Sequence, residues 1–396
     1  MHILAMLGAA LALAPGTEMK MMRADQFAIM AWGWSPEPAK TLADMKLCGI
    51  NLAGMIEAQH LDLVQQAGMQ AIVSDGAAHV GDAEAELPAA EVKRRVAAAV
   101  AKAKGHPAAF GYYLRDEPSA KAFAGLGRWA AAYAEADPKA LAYINLFPNY
   151  ASPEQQATPT YADYLERYIA AVHPKVISYD HYALMDDGTL RDGYFQNLEA
   201  VRAAGLKHNI PFWNIVLSNS HFHYAEPSPA GLRFQAYTTL AYGARGISYF
   251  TYIAPAVGNY RLAPVDQYGN RTPTWDMLRN VNLQIHTLGP TYIKLKSVGV
   301  FHEPNVPVGC QGIKSAVHVA EASGGDLLVG EFDGPNGEAA AIVVNKSLSR
   351  STGFSIRFKR AGAVQMVSAY TGAPEAFAGE NGWLAPGQGM LLFVGK

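Results

Sequence analysis

Phe110-Gly111-Tyr112-Tyr113-Leu114-Arg115-Asp116-Glu117-Pro118 is an apolar run that ends in two carboxylates and stops at a proline. Read as a strand, it alternates between two faces. Phe110, Tyr112 and Leu114 make one face; Gly111, Tyr113, Arg115 and Glu117 make the other. In a parallel barrel the apolar set would meet the surrounding helices. The second set would point inward, with Glu117 last, at the carboxyl end where barrel enzymes hold their reactive groups. A carboxyl there, beside an arginine and tyrosines, suits proton transfer.

The pattern repeats around this run. Apolar stretches recur at Phe27–Trp34, Ile50–Glu57, Ala71–Asp75, Leu141–Asn149, Val176–Tyr182, Ile210–Ser218 and Gly246–Tyr252. Helical stretches lie between them, the clearest at Ala89–Lys104, Phe123–Ala136, Tyr161–Val172, Tyr194–Ala204 and Ala230–Tyr242. Ala89–Lys104 carries charge on one side and Val and Ala on the other, as an amphipathic helix does. Eight strands alternating with helices predict an α/β chain folded as a (β/α)8 barrel. Past about residue 295 the rhythm changes. Leu327–Phe332, Ala339–Asn345, Phe354–Phe358, Val364–Tyr370 and Met390–Val394 are short runs separated by Gly, Asn and Pro. They predict a small C-terminal antiparallel β-sandwich. The expected organisation is a leader over 1–24, a barrel over 25–292 and a β-sandwich over 293–396.

Bulk properties narrow the partners. The 396 residues carry a formal net charge of −2 and no basic segment, so neither nucleic acid nor membrane insertion is expected. Oligomeric state is not legible. The two cysteines, Cys48 and Cys310, give no disulfide framework or zinc knuckle. Ile3–Ala14 is an apolar run of signal-peptide length closed by small residues, although no Lys or Arg precedes it. The expectation is a secreted or periplasmic protein.

The strand ends supply the inward candidates: Glu57, Asp75, Arg115, Glu117, Asn145, Asp180, Asn214 and Tyr252. Two carboxyls across a cleft are what glycosidic-bond hydrolysis needs, one to protonate the leaving oxygen and one as nucleophile or base. Glu117 and Asp180 are the favoured pair. Glu57, Asp75 and Glu226 are the runners-up for the second position. Arg115, His181, Asn145, Asn214, Trp34 and Tyr252 would shape a sugar site. Asp116 reads as a rim residue or helix cap, and Tyr113 and Trp32 as further stacking platforms. His181, His221 and His223 with Asp180 do not fall into a zinc-ligand spacing, so no metal is expected. No G-x-S-x-G elbow occurs, so a nucleophilic serine is not expected; no Gly-rich phosphate loop occurs, so nucleotide chemistry is not expected, and no organic cofactor is required.

Three passages resemble the retaining glycoside hydrolases of the large TIM-barrel clan, the family 42 β-galactosidase type in particular. They are Gly111–Pro118 with its Asp-Glu-Pro ending, Pro227–Phe250 with Leu240-Ala241-Tyr242-Gly243-Ala244-Arg245-Gly246, and Leu327–Phe332 with Ile342-Val343-Val344-Asn345-Lys346-Ser347 and Pro386-Gly387-Gln388-Gly389. The resemblance implies a barrel glycosidase with Glu117 as acid/base and a carbohydrate substrate. It departs at two places. Asp116 stands where the clan has Asn, and the seventh run, Phe212–Asn219, holds no glutamate to serve as nucleophile. An inverting mechanism with Asp180 or Glu57 as base, a loop carboxylate such as Glu226, a glycan-binding barrel without catalysis, and a metal-dependent hydrolase all stay open.

Overall fold

The computed structural model describes residues 26–395; the expected leader over 1–24 lies outside them. Eight parallel strands close into a barrel in sequential order: β1 (Ala28–Ala31), β2 (Leu52–Glu57), β3 (Gln70–Ser74), β4 (Ala109–Asp116), β5 (Leu141–Leu146), β6 (Ile177–Asp180), β7 (Phe212–Leu217) and β8 (Gly246–Phe250). β8 pairs with β1, Ala28 opposite Gly246, and closes the ring. Helices follow the strands on the outside. Ala89–Ala103 buries Val92, Val96, Ala99, Val100 and Ala103, the spacing of a single helical face. Helix starts use side-chain caps: Ser152, Thr160, Ser228 and Thr272 each accept a backbone N–H of the first turn.

The barrel interior is divided along its axis. Its lower part is filled by Ala28, Met30, Leu52, Ile72, Leu141, Tyr143 and Trp213. This apolar layer lies below the carboxyl mouth, where barrel enzymes hold their reactive groups.

Past the long helix Pro273–Tyr292 the chain forms one seven-stranded sheet. Its order is Gln311–Gly312, Lys296–Glu303, Leu327–Asp333, Ala339–Asn345, Gly389–Val394, Val364–Val367, Pro374–Ala376. All pairings are antiparallel except the first. Alternation along these strands gives the sheet two apolar faces. Leu328, Phe332, Ala340, Ile342, Val344 and Leu391 join the core beneath the barrel's helices. Leu327, Val329, Ala341, Val343 and Leu392 pack under two short ribbons, Val319–Ser323 with Ser355–Phe358 and Thr352–Gly353 with Trp383–Leu384. The sequence reading began this sheet at Leu327 and so omitted Lys296–Glu303, where glycine and charge interrupt the alternation. Gly330 marks the closest approach of sheet to barrel: a Cβ there would lie 2.0 Å from the Ala241 carbonyl oxygen.

Candidate active site

Two irregularities in β4 decide which groups enter the mouth. Ala109 and Gly111 pair with adjacent residues of β3, so Phe110 is an extra residue. It turns inward and stacks on Trp213 with ring centroids 6.0 Å apart, not outward toward the helices as strict alternation predicts. A second slip falls between Tyr113, opposite Tyr143, and Arg115, opposite Ile144. Each bulge shifts the alternation by one. Asp116 therefore comes opposite Asn145 and faces in, while Arg115 faces out and pairs with Asp82 at 2.5 Å. The expected inward Arg115 and rim Asp116 thus exchange places. Glu117 then takes a left-handed backbone conformation, φ 41°, and its N–H donates to the Asn145 carbonyl at 2.8 Å. A non-glycine residue held there is strained. Tyr164 supports the turn by donating to the Pro118 carbonyl at 2.7 Å.

Asn145 organises the carboxyls. Its Nδ2 donates to Asp116 Oδ1 and to Asp180 Oδ1, each at 2.9 Å. Its Oδ1 accepts from Ser178 Oγ at 3.1 Å. Because that bond uses the serine hydrogen, the Tyr143 hydroxyl 2.9 Å from Ser178 Oγ is the donor there. Both amide hydrogens are spent, which fixes the orientation of the amide. The Glu117 carboxyl hydrogen-bonds to Asp180. Among the described residues, none of Asp116, Glu117 and Asp180 has an ion-pair partner.

Three neighbouring acids without a cation disfavour one another's ionisation. Burial and then the charge of Asp116 push Glu117 from its ordinary 4.5 up to about 7, against the contrary pull of its bond to Asp180. Burial, then Glu117 and Asp116, push Asp180 well above the usual carboxylate range. Burial also raises Asp116, with the Asn145 bond opposing. Near neutrality Glu117 and Asp180 thus behave as a pair that shares a proton.

Aromatic rings wall the cleft. Tyr182 stacks on Phe250 with centroids 5.7 Å apart, and Trp32 lies 5.5 Å from Phe250. Burial first, and then the neighbouring carboxyls and Tyr150, keep the Tyr182 phenol protonated. After β7, Asn219 Nδ2 donates to the Phe250 carbonyl at 2.7 Å, leaving Asn219 Oδ1 to accept from His221 Nδ1 at 3.0 Å. His221 is thereby held with its hydrogen on Nδ1, and burial pushes its pKa down to about 4, so the ring is neutral. It stacks on Tyr260 at 4.6 Å. The loops after β6, β7 and β8 are tied together by the bridges Met185–Tyr224 and Ser220–Arg261. On the opposite side, cavities of about 610 and 400 Å³ share Trp34, Ser74 and Gly76 and form a groove past Tyr113 and His79 to Glu57, Asp75 and Lys102.

The expected site residues divide into three groups. Glu117, Asp180 and Asn145 meet at the centre. Trp34, Glu57 and Asp75 line the groove: Trp34 is 65% exposed, Glu57 accepts from Gln59 Nε2, and Asp75 pairs with Lys102 at 2.6 Å. Arg115, His181, Asn214 and Tyr252 lie outside the cleft. Asn214 donates to Thr239 on the helix Pro229–Ala241, because Trp213 and Ile215 take the inward positions of β7. Tyr252 donates to Asp44 and accepts from Trp275, between two outer helices. His181 is buried against Asn197, at 3.0 Å, and Tyr194. Glu226 is bound to Arg261 at 2.8 Å on the rim. Tyr182, Tyr150 and His221 were absent from the expected set. The signal for Tyr182 was its place just after the inward Asp180, in a run of aromatics.

Among the described residues, no three His, Cys, Asp or Glu side chains are grouped to hold a metal ion, and no helix is long and apolar enough to cross a membrane.

No family model matches this sequence, and no curated protein matches it. Solved structures do. A glycoside hydrolase is similar over 93% of this chain and 92% of its own, with 13% identity and a TM-score of 0.58. A glycoside hydrolase family 5 protein from Bacteroides vulgatus is similar over 93% and 88%, with 13% identity and a TM-score of 0.55. A β-galactosidase from the psychrophilic Marinomonas ef1 is similar over 69% of this chain, with 12% identity and a TM-score of 0.53; the match spans 62% of that protein's length. At such identities the likeness is one of fold, and the first two extend it through the C-terminal sheet.

Proposed function

We propose that this protein is a glycoside hydrolase that cleaves O-glycosidic bonds of an oligo- or polysaccharide, with Glu117 as proton donor. One observation carries the reading. A carboxyl that keeps its proton up to about pH 7 stands at the carboxyl mouth of the barrel, paired with a second carboxyl and faced by aromatic rings. A general acid works best when its pKa lies near the working pH. The fold likeness to glycoside hydrolases agrees with this chemistry.

Asp180 is the second carboxylate in this reading. Its direct bond to Glu117 leaves no gap for a water, whereas an inverting pair stands about 6.5–9.5 Å apart. The close pair is nearer to the roughly 5–5.5 Å of a retaining pair than to the inverting separation, with Asp180 answering the positive charge that develops on the sugar ring. Asn145 holds Asp180 in place, and Tyr182 offers a hydroxyl to the developing anion. The groove past Trp34 would seat the rest of the glycan, with the indole as a stacking surface.

A second reading is a glycan-binding barrel without catalysis. It is favoured by the end of β7, where Leu217-Ser218-Asn219 carries no carboxylate and both polar side chains are bound to the β8 end. The test is hydrolysis of a broad panel of plant, algal and bacterial glycans by the wild type and Glu117→Gln, with the anomer of the first product read by NMR. Wild-type cleavage that falls by orders of magnitude in the variant supports the hydrolase. Equal activity in both removes Glu117 from the mechanism. Binding without cleavage in both favours the second reading.

A further inference from the structure

Beside the carboxyls, on the wall formed by the loops after β5, β6 and β7, Arg191 is held in an unusual setting. Its guanidinium carbon lies 4.3 Å from the centroid of Tyr150 and 5.3 Å from that of Tyr224. One terminal nitrogen donates to the Tyr224 hydroxyl at 3.2 Å. Nε is buried and has no partner. Among the described residues no carboxylate lies within ion-pair range of it, although Arg115, Arg202 and Arg261 each have one. The loop that carries it is pinned where the Arg191 N–H donates to the Ala183 carbonyl at 2.7 Å, three residues beyond Asp180. Tyr150, 37% exposed, feels both Asp180 and Arg191, so arginine and acid pair flank the same ring. A half-buried guanidinium whose Nε–H is buried and idle lacks the counter-charge that such a group usually has, and its planar fork matches a carboxylate or sulfate. Neutral sugar hydroxyls do not supply that charge.

We propose that Arg191 is the anion-recognition residue of the cleft and that the substrate is an acidic glycan, its sugar carrying a carboxylate or sulfate toward the Arg191–Tyr150–Tyr224 wall. This rests on the hydrolase reading for turnover but not for binding. The experiment compares kcat/KM on matched aryl glycosides: glucuronides against glucosides, galacturonides against galactosides, and 6-sulfated against unsubstituted galactosides. Alongside, calorimetry measures binding of oligogalacturonate and oligoglucuronate, against their neutral counterparts, to the Glu117→Gln protein with and without Arg191→Gln.

A preference of about tenfold or more for one anionic sugar is expected. The uronide and sulfate arms say which anion it is. In Arg191→Gln the anionic-to-neutral ratio should collapse toward one. If that variant does not fold, Arg191→Lys, which keeps the charge without the fork, should reduce the ratio several-fold. A wild-type ratio at or below one, or a ratio unchanged by either variant, overturns the assignment. Glu117-dependent cleavage of neutral glycosides alone would keep the hydrolase and discard the acidic substrate. Arg191-dependent binding of oligouronates with no turnover would do the reverse.

Discussion

Glu117→Gln should make the protein more stable at neutral and alkaline pH while removing its proton donor. The folded carboxyl titrates at about 7 against an ordinary 4.5. Below pH 4.5 the group is protonated in both states and contributes no difference. Between 4.5 and 7 the unfolded chain gives up the proton and the native state keeps it, so stability falls as pH rises. Above 7 the full cost is present. At 1.36 kcal/mol per pH unit the gap amounts to about 3 kcal/mol, and water at the mouth reduces it to roughly 1–2 kcal/mol. Glutamine has nearly the same shape, carries no charge and can donate to Asp180, so the variant escapes the cost. Urea unfolding of both proteins at pH 4, 5.5 and 8 measures this, since a shift in midpoint at constant slope is a shift in stability. The variant should match the wild type at pH 4 and exceed it by about 1–2 kcal/mol at pH 8. A difference that is absent, or equal at all three values, would refute the claim that Glu117 is a buried acid with a raised pKa.

Three further outcomes are expected. kcat/KM should decline above about pH 7, tenfold per unit, as Glu117 loses its proton; activity rising through that range would show that its ionised form is the working one. Asn145→Ala strips donors from two buried carboxyls and the acceptor from Ser178, which should cost about 2–4 kcal/mol at pH 8 and less at pH 5, because both carboxyls have raised pKa values and carry less charge as pH falls; unfolding at the two values checks it. Trp34→Ala should raise KM about three- to tenfold on long oligosaccharides and little on the shortest cleaved substrate; equal effects on both would take Trp34 out of the groove's binding surface.

What the sequence revealed followed from periodicity, and what it hid followed from breaks in periodicity. All eight barrel strands were legible because each is a short apolar run closed by polar residues, with amphipathic helices between. Asp180 was placed inside by counting along β6, which is regular. The same counting failed in β4, where two bulges reversed the facing of Phe110, Arg115 and Asp116. A bulge is set by the neighbouring strands and leaves no mark in composition. Asn214 and Tyr252 failed for another reason. Polar residues were assigned inward, yet the lower barrel is filled by apolar groups such as Trp213, and the outer helices supply Thr239, Asp44 and Trp275 as partners. His181 and Arg115 are likewise partnered from outside the ring. The groups that converge on the mouth from loops, Tyr150, His221 and Arg191, carry no periodic signal and come together only through the closure of the barrel.

The central claim is that Glu117 donates a proton to the leaving oxygen. It is tested most directly by comparing Glu117→Gln with wild type on two glycosides of the same sugar, one natural with a poor leaving group and one dinitrophenyl with a leaving group that needs no proton. A general acid predicts a loss of about 10²–10⁴-fold on the first and a far smaller loss on the second. Equal losses on both would contradict it.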